Sequence, residues 1–136
     1  MKIYQSKVRK LSGSEYREVY IQVKNIYKEI SSRTKRRPYI RSSYFKKDKI
    51  FLSYFWDHLW TKNWRDRVRR LKYFPCAIDL IKNSRVEPIS KENPNRNSEL
   101  LHRFAGITKE KELFFVQVKE DKRSGEKHFM SVFPEQ

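Results

Sequence analysis

The chain changes its hydrophobic period once, near residue 83, and that change limits the folds open to it. Tyr16, Val19, Tyr20, Val23, Ile26, Tyr27 and Ile30 recur at the spacing of a core-facing helix stripe. Ser14 stands where an N-cap is wanted, and Glu15 and Glu18 sit where the helix dipole favours acids. The run 31–37 (SSRTKRR) and Pro38 end this helix. A second helix is predicted over about Asp48–Thr61, with Phe51, Phe55 and Leu59 as one stripe and Leu52, Trp56 and Trp60 beside it. A third is predicted from Asn63 to about Lys82, its phase carried inward by Trp64, Val68, Leu71, Ile78 and Ile81, and Pro75 must kink or split it. Beyond Asn83 the period becomes that of strands. Segment 84–99 is polar, carries Pro88 and Pro94, and reads as loop with a short strand over Val86–Ile89. Strands are predicted over Leu101–Thr108, Leu113–Glu120 and Lys127–Phe133, the last two joined by a hairpin turn over Asp121–Gly125. Residues 1–12 alternate weakly and read as a strand or an ordered arm. The expectation is one α+β domain over 1–136, its helical part about 14–83 packed on an antiparallel sheet of about four strands over about 84–134.

Charge is the compositional outlier. Thirty-two Lys and Arg residues against sixteen Asp and Glu give a net charge of +16 and a pI near 10.1. Such a charge repels itself in a compact chain. A polyanionic partner is the usual physical reason for it, because each cation that neutralises a phosphate releases counterions. Nucleic acid, RNA foremost, is therefore the expected partner. No membrane contact is expected, since no apolar run approaches the roughly 20 residues of a spanning helix. Met1–Lys10 also lacks the hydrophobic stretch of a secretory signal. The single cysteine, Cys76, cannot close an intramolecular disulfide and lies in an apolar stretch. That pattern fits an inert buried thiol in a reducing, cytoplasmic setting.

Two basic features carry the candidate chemistry. In the last hairpin, Val116, Val118, Met130 and Val132 are expected to face the helices. Phe115, Gln117, Lys119, Lys127, Phe129 and Ser131 would then share one polar and aromatic face. Cations there meet phosphates and rings stack on unpaired bases, although an ordinary solvated sheet face has a similar composition. The second feature is the segment 62–72 (KNWRDRVRRLK), with six cations and one acid. On a helix Arg67 and Arg70 share one flank, and Arg65, Arg69 and Lys72 share another, with Lys62 just before them. Arginines on a scissile phosphate also stabilise charge developing in a transition state. The histidines are His58, His102 and His128, and no pair has metal-ligand spacing, so no metal or other cofactor is expected. A histidine near arginines has its charged form disfavoured and stays available as a base near neutral pH. Gln117-Val118-Lys119 fits the tail of a metal-dependent nuclease strand, but no Asp lies between Asp79 and Asp121 to bind the metal. Attack by the RNA 2′-hydroxyl on the adjacent phosphate, without a metal, fits these residues better.

The order of these segments resembles a known family. Asp57-His58-Leu59 near a helix end is followed by Arg67-Val68-Arg69-Arg70-Leu71, by Ile78-Asp79-Leu80-Ile81-Lys82-Asn83-Ser84 and by Pro88. The strands then read His102-Arg103-Phe104-Ala105-Gly106-Ile107-Thr108, Phe114-Phe115-Val116-Gln117-Val118-Lys119 and Lys127-His128-Phe129-Met130-Ser131-Val132-Phe133-Pro134. Over residues 55–134 this resembles the barnase–EndoU–colicin–RelE-like nuclease superfamily, especially its small phage- and mobile-element-associated branches. The resemblance implies a metal-independent endoribonuclease of toxin type, neutralised by an acidic antitoxin or immunity protein. It implies an active site where the helices meet the open sheet face. His58, Arg67 or Arg70, Lys119 and Ser131 are the positions matching in role, with His102 and Arg103 as further candidates. A basic RNA- or DNA-binding module without catalysis is the alternative expectation.

Overall fold

The computed structural model describes residues 2–135. The chain is α+β. In order it forms β1 (Tyr4–Gln5), α1 (Tyr16–Ser32), β2 (Tyr39–Arg41), β3 (Lys49–Phe51), α2 (Tyr54–Leu59) and α3 (Trp64–Lys72). It continues with α4 (Phe74–Asn83), β4 (Ile89–Asn93), β5 (Arg96–Ile107), β6 (Leu113–Asp121) and β7 (Lys127–Pro134). No helix among the described residues is long and apolar enough to cross a membrane.

Among the described residues the sheet has seven strands rather than four, in the order β1-β5-β6-β7-β3-β2, with β4 beside β5. It is mixed, because β1 runs parallel to β5 and β3 parallel to β7. The added strands are short or polar. Lys49–Phe51, expected as the start of a helix, is a strand because Ile50 is fully buried between β2 and β7. Only Tyr54–Leu59 of that segment is helical. The polar stretch expected as loop is a hairpin, with Ile89–Asn93 against Arg96–Arg103. Residues 2–12 form an arm whose Tyr4 and Gln5 pair with Gly106 and Ile107.

Pro75 splits the third predicted helix rather than kinking it. It lies in the first turn of α4, where its missing N–H costs nothing, and Tyr73 is the joint. Asn63 caps α3 by accepting from the Asp66 amide at 3.0 Å. Glu15, not Ser14, caps α1, with no side-chain hydrogen bond. Trp64, in phase with the buried stripe of α3, is exposed at the helix start.

The core lies between one sheet face and the helices. Val19 and Val23 of α1 and Leu80 of α4 join Phe104, Phe114, Val116, Val118, Phe129 and Val132 of the sheet. Phe55 stacks on Phe129 with ring centroids 4.7 Å apart. Gly106 is where α4 comes closest to the sheet: a Cβ there would meet Phe114 at 2.6 Å and Leu80 at 2.9 Å.

Two details position the other face. First, β3 pairs with Lys127 and His128, and beyond them α2 and α3 lie along the β7 edge. From that edge α2 sends Phe55 and Leu59 into the core, while its other flank borders the open face. Second, β6 and β7 change register at Gln117/Val118, so that Ser131 faces Gln117 but Phe129 faces Val118. Met130 is the extra residue of a bulge, and strand phase inverts across it.

Candidate nucleic-acid interface

Directly paired residues in adjacent strands share a face, so the register assembles the open face row by row. Ser131, Gln117, Arg103 and Ile89 form a central row across β7, β6, β5 and β4. Phe133, Phe115 and Ala105 form the row on one side of it, and His128, Lys119 and Leu101 the row on the other. The two phenylalanine rings pack 5.6 Å apart, and Arg103 lies 5.6 Å from the Phe133 ring and 5.9 Å from the Phe115 ring.

The helices along the β7 edge add to this face. Arg70 of α3 donates from Nη1 to Ser131 Oγ at 2.6 Å and lies 5.4 Å from the Phe133 ring. Its Nε is held by Asp66 at 3.1 Å. Tyr54 of α2 receives Lys119 Nζ over its ring at 3.7 Å and lies 6.4 Å from the His128 ring. His58 is four residues from Tyr54 and shares its flank of the helix. Lys119 is further held by Glu99, Nζ to Oε2 at 3.5 Å.

Two cationic centres result, each beside a histidine, on either side of the Gln117–Ser131 pair. Burial, with Lys62 and Arg70 adding to it, holds His58 below its usual proton affinity. Burial also lowers His128, and Lys119 and Arg37 act in the same direction, against the pull of Glu126. Both shifts favour the neutral imidazole near pH 7, and His128 Nε2 lies 2.9 Å from Glu126 Oε1.

Of the sequence candidates, His58, Arg70, Lys119, Ser131, Arg103, Phe115 and Gln117 come together here. Four others do not. His102 faces the helix side, where Nδ1 meets Ser90 Oγ at 2.6 Å and Nε2 meets Glu120 Oε1 at 2.8 Å, under Phe45. Lys127 and Phe129, expected on the open face, are turned inward by the bulge. Lys127 is buried on Asp48 at 2.9 Å, and Phe129 is fully buried. Arg67 does not share the flank of Arg70, since its Nη2 donates to the Trp60 carbonyl at 2.9 Å and its guanidinium caps the Trp60 ring.

The remaining cations of the basic segment face outward. Arg69 pairs with Asp66 at 2.9 Å, Arg65 lies over Trp64, and Lys62 stays near His58. Arg65, Arg69 and Lys72 border a separate shallow depression with Lys10 and Glu112. Burial pushes the Cys76 thiol up to about 12, which leaves it protonated and unreactive.

His128, Tyr54, Phe133 and Glu99 were missed from the sequence. A bulge in β7 would have placed His128 beside Lys119, but Met130 carries no residue signal that marks one. Among the described residues, no group of three or more His, Cys, Asp or Glu side chains could hold a metal ion. No protein family, curated protein or solved structure matches this chain.

Proposed function

We propose that the open sheet face binds RNA and cleaves it without a metal, by attack of a 2′-hydroxyl on the adjacent phosphate. The observation that supports this most is the convergence of Lys119 and Arg70, from a strand and a helix far apart in sequence, on one open face with a neutral histidine beside each.

In this reading the phosphate lies over Gln117 and Ser131, between the two cations. One histidine takes the proton of the 2′-hydroxyl as its oxygen bonds to phosphorus. The other gives a proton to the 5′-oxygen as the P–O5′ bond breaks, leaving a 2′,3′-cyclic phosphate and a free 5′-hydroxyl. Lys119 and Arg70 stabilise the charge that builds on the pentacoordinate phosphorus. Ser131 and Asp66 hold the Arg70 guanidinium in place, and Glu99 and Tyr54 hold the Lys119 ammonium, so both cations are oriented before substrate arrives. Phe115 and Phe133, with Arg103 against them, offer stacking surface to the flanking base. The basic surface fits an acidic antitoxin or immunity protein as the chain's protein partner.

The test is cleavage of a fluorogenic oligoribonucleotide in excess EDTA by wild type, Lys119→Ala and Arg70→Ala. Wild-type activity should survive EDTA, and each substitution should lower it on the order of a hundredfold or more. Salt-sensitive binding with no cleavage at any pH would leave a binding module only.

A further inference from the structure

The row through Lys119 does not stop at β7. Tyr39 of β2 pairs with Phe51 of β3, Phe51 with His128 of β7, His128 with Lys119 of β6, Lys119 with Leu101 of β5, and Leu101 with Lys91 of β4. One uninterrupted row thus crosses six strands on the open face, a span of about 24 Å at the usual strand spacing. The next open-face pair of the β2–β3 ribbon is Arg41 with Lys49, both exposed.

The ribbon repeats the pairing of cation and ring that marks the central site. Arg37 lies 3.8 Å over the Phe51 ring and is held at 3.1 and 3.2 Å by the two Glu126 carboxylate oxygens. Lys49 lies 4.7 Å over Tyr39, with Arg41 5.6 Å from the same ring. Arg41 is also fixed by its Nη1 donating to the Lys47 carbonyl at 3.0 Å. Arg41, Lys49 and Phe51 border a concavity with the β6–β7 turn. A solvated ribbon needs no such arrangement, since free lysines and arginines gain entropy by staying mobile. Fixed cations spaced along stacked rings suit a polyanion that carries bases, because phosphates and rings alternate along it in the same way.

We infer that the β2–β3 ribbon is a second binding segment, which takes the nucleotides of a single-stranded RNA beyond those held over β5, β6 and β7. The strand runs across the sheet, roughly perpendicular to the β-strands, from the Phe115–Arg103 region past Lys119 and His128 to Arg41 and Lys49. This inference rests on the reading of the open face as an RNA site. It adds that the site favours an unpaired strand of several nucleotides, since a trinucleotide cannot cover both segments.

The test is fluorescence anisotropy with 2′-O-methyl oligouridylates, which cannot be cleaved, as a trinucleotide and as a decanucleotide. Wild type, Lys119→Ala and the double variant Arg41→Glu/Lys49→Glu are compared, with circular dichroism as the check on folding. The double variant should bind the longer strand on the order of tenfold more weakly, with its salt slope reduced by about 1.4 for two lost phosphate contacts. Its trinucleotide affinity should be unchanged, whereas Lys119→Ala should weaken both. If the longer strand senses Lys119 but not the ribbon, the extension is wrong and the sheet-face site stands. If neither strand senses Lys119, both fall.

Discussion

His58 and His128 are held neutral at pH 7 by burial with cations nearby, Lys62 and Arg70 at one and Lys119 and Arg37 at the other. Both shifts run downward from the ordinary imidazole value near 6.5. In the proposed mechanism the base is therefore ready at neutral pH, whereas the protonated acid is scarce. Lowering the pH raises the acid fraction until the base itself becomes protonated, so kcat/KM should pass through an optimum below about pH 6.5. A pH–rate profile of the wild type checks this, and a rate that climbs steadily through pH 8 would show that these two histidines do not carry the protons. In His58→Ala one limb of that profile should vanish.

At the level of elements, the β7 bulge decides which side chains reach the open face. It turns Phe129 into the core against Phe55 and leaves Phe115 on the open face, although strict alternation puts both on one face. Phe129→Ala should cost about 3–5 kcal/mol of stability by emptying a packed site. Phe115→Ala should leave the urea midpoint nearly unchanged and weaken RNA binding by about 1–3 kcal/mol per stacked base. Equal effects of the two substitutions on stability would contradict the register. The bulge also marks where sequence reading ends. The α1 stripe, the split at Pro75 and the last hairpin turn were legible because each has a local cause. The turn shows this, with Asp121 Oδ1 accepting from the Arg123 and Ser124 amides and Gly125 at φ 75°. Lys49–Phe51 was not legible, because its strand depends on partners in β2 and β7. The position of His102 was not legible for the same reason: its place under Phe45 is set by a distant loop. Arg70 and Lys119 were singled out from charge and phase, yet their placement on one face across the β7 edge is a tertiary fact.

Across the whole molecule, a net charge of +16 is not spread evenly. Part of it is spent in pairs that hold the fold, such as Lys127 on Asp48 and Lys10 on Glu112. Another part is fixed over rings on the open face, at Arg70, Arg103, Lys119, Arg37 and Lys49. Charge alone explains attraction to any nucleic acid. The claim of metal-free cleavage is narrower, for it makes the 2′-hydroxyl the nucleophile and so separates binding from reaction. The most direct measurement incubates the protein, in EDTA, with an oligoribonucleotide and with the same strand carrying 2′-deoxyribose at the cleaved position. The account predicts that both bind, that only the first is cut, and that its new end is a 2′,3′-cyclic phosphate. Cutting of the deoxy strand, or an intact ribonucleotide strand that is nevertheless bound on the open face, would contradict it.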